Sequence, residues 1–110
     1  MNKFFNKGLF RYKRRKSHTV NIGDSGIGGN NPIRIQSMTT TDTMDTKSTV
    51  DQTIRMVNSG CEFVRITAPS VRAAKNLSNI KNELKMQGYN VPLIADIHFT
   101  PKAAEISAEI

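Results

Sequence analysis

Four side chains in this sequence have a type and position that could do chemistry: Arg65, Asp96, His98 and Gln36. Arg65 interrupts the apolar run FVRI at residues 63–66, where a guanidinium is costly to bury unless an anion or a carboxylate meets it. Its rigid five-donor fork suits phosphate oxygens; the alternative is a structural ion pair with Asp96 or Glu62. Asp96 and His98 stand two apart in ADIH, so on a strand they share one face while Ile97 takes the other. A carboxylate beside an imidazole can fix its tautomer and make a general acid or base near neutral pH. The same pair could instead be part of a metal site whose other ligands lie elsewhere, or a buried Asp and His satisfying backbone groups. Gln36 and Met38 share a face of another strand and lead into Thr39, Thr40, Thr41 and Asp42. Such a hydroxyl-rich run could hold a polyol or a phosphate, or could be ordinary loop chemistry.

The elements that would bring these residues together repeat along the chain. Residues 33–38 read as a strand. Asp45 or Thr46 can then cap a helix with Val50, Ile54 and Val57 at helical spacing, ended by Gly60. A second strand runs from Cys61 to Thr67, and Pro69 and Ser70 turn it into a helix carrying Val71, Ala74, Leu77, Ile80 and Leu84, closed by Gly88. The third strand, residues 91–97, is apolar enough to be buried on both faces, and a further helix starts with Thr100 as cap and Pro101 at its first position. Strand and helix alternate at a spacing of about thirty residues, so each strand must return through a crossover helix to a parallel sheet. The fold class is α/β. Active sites of such sheets gather at the C-terminal strand ends, where Arg65, Asp96 and His98 fall; Arg34 lies near a strand start, where charge serves stability.

Three segments are expected: a basic tail over residues 1–17, a hairpin over 18–32, and three βα units over 33–110. The last helix has no following strand, and a complete (β/α)8 barrel takes about 250 residues, so the chain reads as the opening of a longer barrel. Alone it would expose sheet edges and be marginally stable or associate. The GIGG at residues 26–29 is not read as a phosphate loop, because a strand pattern follows it where a helix should open.

Composition narrows the classes further. The net charge of +7 comes from seven basic residues ahead of the first acid, Asp24; the other nine balance the nine acids. The charge therefore describes the tail. A tail of this kind could touch RNA, an anionic surface or an import receptor, and is read first as a solvated extension; no nucleic-acid or membrane partner is expected. The longest apolar run, residues 91–95, is far below the roughly 18 residues of a membrane span. The single cysteine, Cys61, cannot form an internal disulfide or alone hold zinc or an iron–sulfur cluster, and its place at a strand start favours a small packing residue.

Three stretches taken together, PIRIQSMTTTDTMDT at 32–46, GCEFVRITAPS at 60–70 and VPLIADIHFTPKAA at 91–104, resemble the start of the hydroxymethylbutenyl diphosphate synthase family. The likeness runs over residues 14–110 in order and spacing. The leading RYKRR and TVNIG are similar to the longer form of the family, with an inserted domain. The resemblance implies a TIM-barrel oxidoreductase of non-mevalonate isoprenoid synthesis. Such enzymes open methylerythritol cyclodiphosphate reductively to hydroxymethylbutenyl diphosphate, with a 4Fe-4S cluster and ferredoxin or flavodoxin as electron donor. It implies cluster ligands, three cysteines and a glutamate, beyond Ile110, so that this chain binds no cofactor and is inactive alone. It also implies a homodimer, in the bacterial cytoplasm or in a plastid. On that likeness Arg65 contacts the diphosphate, Asp96 and His98 line the substrate pocket, and Gln36 lies at its floor or rim; no catalytic residue is assigned. Two other readings stand beside it: a pterin-binding barrel of the dihydropteroate synthase type, and a small basic RNA-binding module.

Overall fold

The computed structural model describes Phe10 and residues 15–110, so most of the expected basic tail lies outside the described residues. Two compact units form, one ending at Ile33 and the other spanning Arg34–Ile110.

In the first unit, β1 (Val20–Ile22) pairs antiparallel with β2 (Ser25–Ile27) across a two-residue connection, as the hairpin pattern predicts. The glycines that follow serve a close approach of chain to chain. A Cβ on Gly28 would come within 2.2 Å of the His18 carbonyl oxygen, and one on Gly29 within 2.3 Å of Thr19 Oγ1. No helix opens after them, in keeping with the rejection of a phosphate loop.

The second unit runs β3 (Gln36–Met38), α1 (Thr46–Asn58), β4 (Phe63–Ala68), α2 (Val71–Met86), β5 (Leu93–Ile97) and α3 (Pro101–Glu109). The three strands form one parallel sheet in the order β3-β4-β5, the α/β arrangement expected from the repeat. Alternation along β4 divides its residues. Val64, Ile66 and Ala68 are buried with Val50 of α1, Ala74, Leu77, Ile80 and Leu84 of α2 and Ala103 of α3, and Leu93, Ala95 and Ile97 of β5 pack on the same core. Burial of each such Ile or Leu contributes about 1.5–3 kcal/mol. By register, the other face carries Gln36 beside Phe63, Met38 beside Arg65 and Ile94, and Thr67 beside Asp96.

The helices begin where the sequence signals them. Asp45 accepts a hydrogen bond from the Ser48 amide (3.1 Å) and another from the Ser48 hydroxyl (2.8 Å), and Ser70 Oγ accepts from the Ala73 amide (3.1 Å). Thr100 occupies the cap position before Pro101, but its hydroxyl makes no capping bond.

Strand expectations need correction, beginning with the strand read from Cys61 to Thr67, which spans Phe63–Ala68. The strand read over residues 33–38 is shorter, because the Ile35 amide donates to the Glu62 carboxylate (2.9 Å) and the ladder begins only at Gln36. Glu62 also lies 3.5 Å from Arg34, which places both charges at the N-terminal strand ends. The strand read over 91–97 starts at Leu93: Pro92 has no N–H to give a ladder and contributes only its carbonyl, to the Val64 amide (3.2 Å). It is also half-buried along its whole length and not buried on both faces, since only its outer face meets the helices. Cys61 is half-buried against the edge of the core, the packing role its position suggested.

Candidate functional site

β4 and β5 bring three of the four chemically capable residues together. Arg65 Nη2 lies 3.0 Å from Asp96 Oδ1, and His98 Nε2 lies 3.2 Å from Asp96 Oδ2, so one carboxylate joins the two nitrogen bases. The grouping follows from the register. Thr67 is level with Asp96, Arg65 is two residues back on the same face, and His98 follows Asp96 by two at the strand's end. Of the two ion-pair partners considered for Arg65, the structure selects Asp96; Glu62 is paired with Arg34 instead.

The three side chains differ in exposure. Asp96 retains 18% of its side-chain surface, while Arg65 and His98 retain 43% and 45%. The carboxylate is thus sheltered and the two bases stay open to solvent. The Arg65 guanidinium, then the His98 imidazole, hold the Asp96 carboxyl below the ordinary carboxylate range. Asp96 is therefore a fixed negative charge at neutral pH, and its contact with His98 requires the proton on Nε2. Arg65 uses one nitrogen of its fork in this pair, leaving further donors for an incoming anion.

Gln36 is on the same face but outside this trio. Its register partner is Phe63, two residues below Arg65, or about 6.6 Å nearer the N-terminal ends at a rise of about 3.3 Å per residue. It sits toward the floor of the face, and no hydrogen bond of the described residues links it to Arg65, Asp96 or His98.

The threonine run after β3 is largely occupied with its own loop. Thr43 Oγ1 donates to the Thr67 carbonyl (2.6 Å), the Thr41 and Thr49 hydroxyls are 2.8 Å apart, and Gln52 Nε2 donates to Thr40 Oγ1 (2.9 Å). Gln52 Oε1 also accepts the amides of Thr40 (2.9 Å) and Thr41 (3.3 Å). The loop reading of these hydroxyls is the one the structure supports.

Two residues escaped the sequence reading. Asn76 of α2 donates to the Thr43 carbonyl (2.7 Å) and to Thr46 Oγ1 (3.0 Å), tying the loop to the second helix. Its signal was an amide among apolar helix positions. Phe99, directly after His98, has φ +53, and is the one non-glycine residue with positive φ among those described. A bulky residue held there costs about 1–3 kcal/mol. Its ring is fully exposed and stands edge-on to the His98 ring, with centroids 6.4 Å apart.

The GcpE TIM-barrel domain model matches residues 17–110. The chain belongs to this family. Among GcpE relatives, the 4-hydroxy-3-methylbut-2-en-1-yl diphosphate synthase (flavodoxin) of Phocaeicola vulgatus is 55% identical over 101 residues, covering 92% of this chain and 16% of the relative. The protein of the same name from Porphyromonas gingivalis is 55% identical over 97 residues, covering 88% of this chain and 17% of the relative. That of Leptospira interrogans is 50% identical over 109 residues, covering 99% of this chain and 16% of the relative. The chain thus spans about a sixth of the length of the curated relatives it matches. The resemblance read from QSMT, VRIT and ADIHF holds, and with it the pterin-barrel alternative falls away.

The residues at hand do not fit an iron–sulfur cluster. Cys61 is the single thiol of the chain, and among the described residues no three His, Cys, Asp or Glu converge as a metal site. Nor is any helix of the described residues long and apolar enough to cross a membrane.

Proposed function

We propose that this chain forms the first βα units of a (β/α)8 barrel. In it, Arg65 and His98 take the diphosphate of a small cyclic diphosphate in a 4-hydroxy-3-methylbut-2-enyl diphosphate synthase. The observation that carries this reading is the Arg65–Asp96–His98 trio on one sheet face, Asp96 and His98 at the C-terminal end of β5 and Arg65 reaching Asp96 from the middle of β4, with both basic side chains open and the carboxylate sheltered. Arg65 supplies paired donors to phosphate oxygens; His98, whose Nε2 proton is taken by Asp96, borders the same side and donates to the anion through Nδ1 only as an imidazolium. Asp96 lines the pocket as the charge that orients both; being anionic, it would repel phosphate and is not itself a ligand of it. Gln36 lies at the floor, one layer deeper, within reach of a group projecting down from the anion.

The substrate that fits the relatives' name is 2-C-methyl-D-erythritol 2,4-cyclodiphosphate, opened reductively, with flavodoxin as electron donor. Homodimer assembly and a cytoplasmic location belong to the same reading. Any iron–sulfur cluster of the enzyme takes its ligands from residues other than these, and no step is assigned to it. The test is calorimetric titration of the full-length enzyme with the cyclic diphosphate, without reductant. Arg65→Ala should weaken binding roughly 10- to 150-fold, the effect of about 1.5–3 kcal/mol for charge-assisted hydrogen bonds. Arg65→Lys should recover only part of it. Unchanged affinity in both variants would remove Arg65 from the diphosphate site.

A further inference from the structure

Phe99 is anomalous on three counts. Along β5, residues 94, 96 and 98 alternate onto the site face and 93, 95 and 97 onto the helix-packed face. Extended backbone would send residue 99 to the helix side, where an aromatic ring finds apolar company. Instead, the left-handed turn at Phe99 breaks the alternation, and the ring is fully exposed beside the imidazole of the anion-binding trio. Glycine or asparagine would take this conformation with less strain. The sequence places a large apolar ring there in spite of that preference.

We propose that Phe99 is a specificity-determining residue: its ring covers the carbon skeleton of a diphosphate held at Arg65 and His98, so that the site selects a diphosphate bearing carbon over the inorganic anion. Beside Arg65 in the register, Met38, itself partly exposed, and Ile94 add apolar groups to the face that carries Arg65. A ligand matching this arrangement is anionic at one end and apolar at the other. The proposal rests on the anion site put forward above and adds what lies next to it.

The test uses the full-length enzyme and two probes, inorganic diphosphate and isopentenyl diphosphate, titrated calorimetrically. Phe99→Gly suits the left-handed turn and removes the ring. It should weaken isopentenyl diphosphate about tenfold, the effect of roughly 50 Å² of apolar surface left uncovered. Inorganic diphosphate should change less than about twofold. Phe99→Leu, which restores apolar area, should lie between wild type and Phe99→Gly. Equal weakening of both probes, or no change in either, overturns the proposal. Arg65→Ala separates the two readings. If it leaves inorganic diphosphate binding intact, the anion site itself is wrong. If it abolishes that binding while Phe99→Gly spares both probes, only the role of Phe99 is wrong.

Discussion

Replacing Asn76 by alanine should loosen the loop between β3 and α1 without disturbing the helix that carries it. Asn76 is 9% exposed, and its amide nitrogen is the donor to both the Thr43 carbonyl (2.7 Å) and Thr46 Oγ1 (3.0 Å). Truncation leaves the carbonyl of a buried threonine without this donor, at a cost of about 1–3 kcal/mol. Taking about 2 kcal/mol, local opening of the loop becomes roughly 30 times more frequent. Hydrogen exchange of the full-length enzyme, read by mass spectrometry on peptides covering residues 39–47, should speed up by that factor, while peptides from the middle of α2 around Ile80 should not change. Asn76→Asp keeps the shape but turns the donor into an acceptor facing the Thr43 carbonyl, so it should be at least as damaging. Loop exchange within twofold of wild type in both variants would refute the claim that this amide anchors the loop.

Two further perturbations follow from the same geometry. The hydrogen bonds from the Ser48 hydroxyl and amide hold the Asp45 carboxyl below its ordinary value. Since the folded value is depressed, the cap's ionic contribution is complete above the unfolded carboxylate range near 3.8 and is lost as pH falls through the folded value. The protection of amides at the start of α1, taken relative to the intrinsic exchange rate at each pH, should therefore fall on acidification in wild type but not in Asp45→Asn, which keeps an acceptor oxygen without titrating. Ile80→Ala empties a fully buried position of the core and should cost about 2–5 kcal/mol, seen as a lower unfolding midpoint of the α/β unit by circular dichroism; an unchanged midpoint would mean that the core is not organised around α2.

The architecture was legible because hydrophobic period, caps and stops agreed. Asp45, Ser70, Gly60 and Gly88 bracket α1 and α2 where the apolar spacing places them. Strand limits were less legible at Ile35 and Pro92. There the outcome depended on a side-chain carboxylate taking a backbone amide and on a proline lacking one, both tertiary matters. The period of two put Asp96 and His98 on one face. That Arg65 would reach Asp96 in preference to Glu62 depended on the register between strands, which a single strand's sequence does not contain. Asn76 was hidden for a similar reason: its partners are about thirty residues away, in a loop whose path is set by Gln52 and Thr49. The turn at Phe99 runs against local preference, and a departure of that kind is expected at sites shaped by a ligand more than by the chain alone.

In the sheet, spatial order repeats chain order, β3 then β4 then β5. From Phe63 to Leu93 is thirty residues, about two to six seconds of synthesis at about 5–20 residues per second. Helices form in about a microsecond and short loops close faster still. Each βα unit therefore has its partner strand already made when it leaves the ribosome, and none waits for a distant segment. The newest strand always offers its free edge to the next one. During translation the free edge of β4 is the template on which β5 adds.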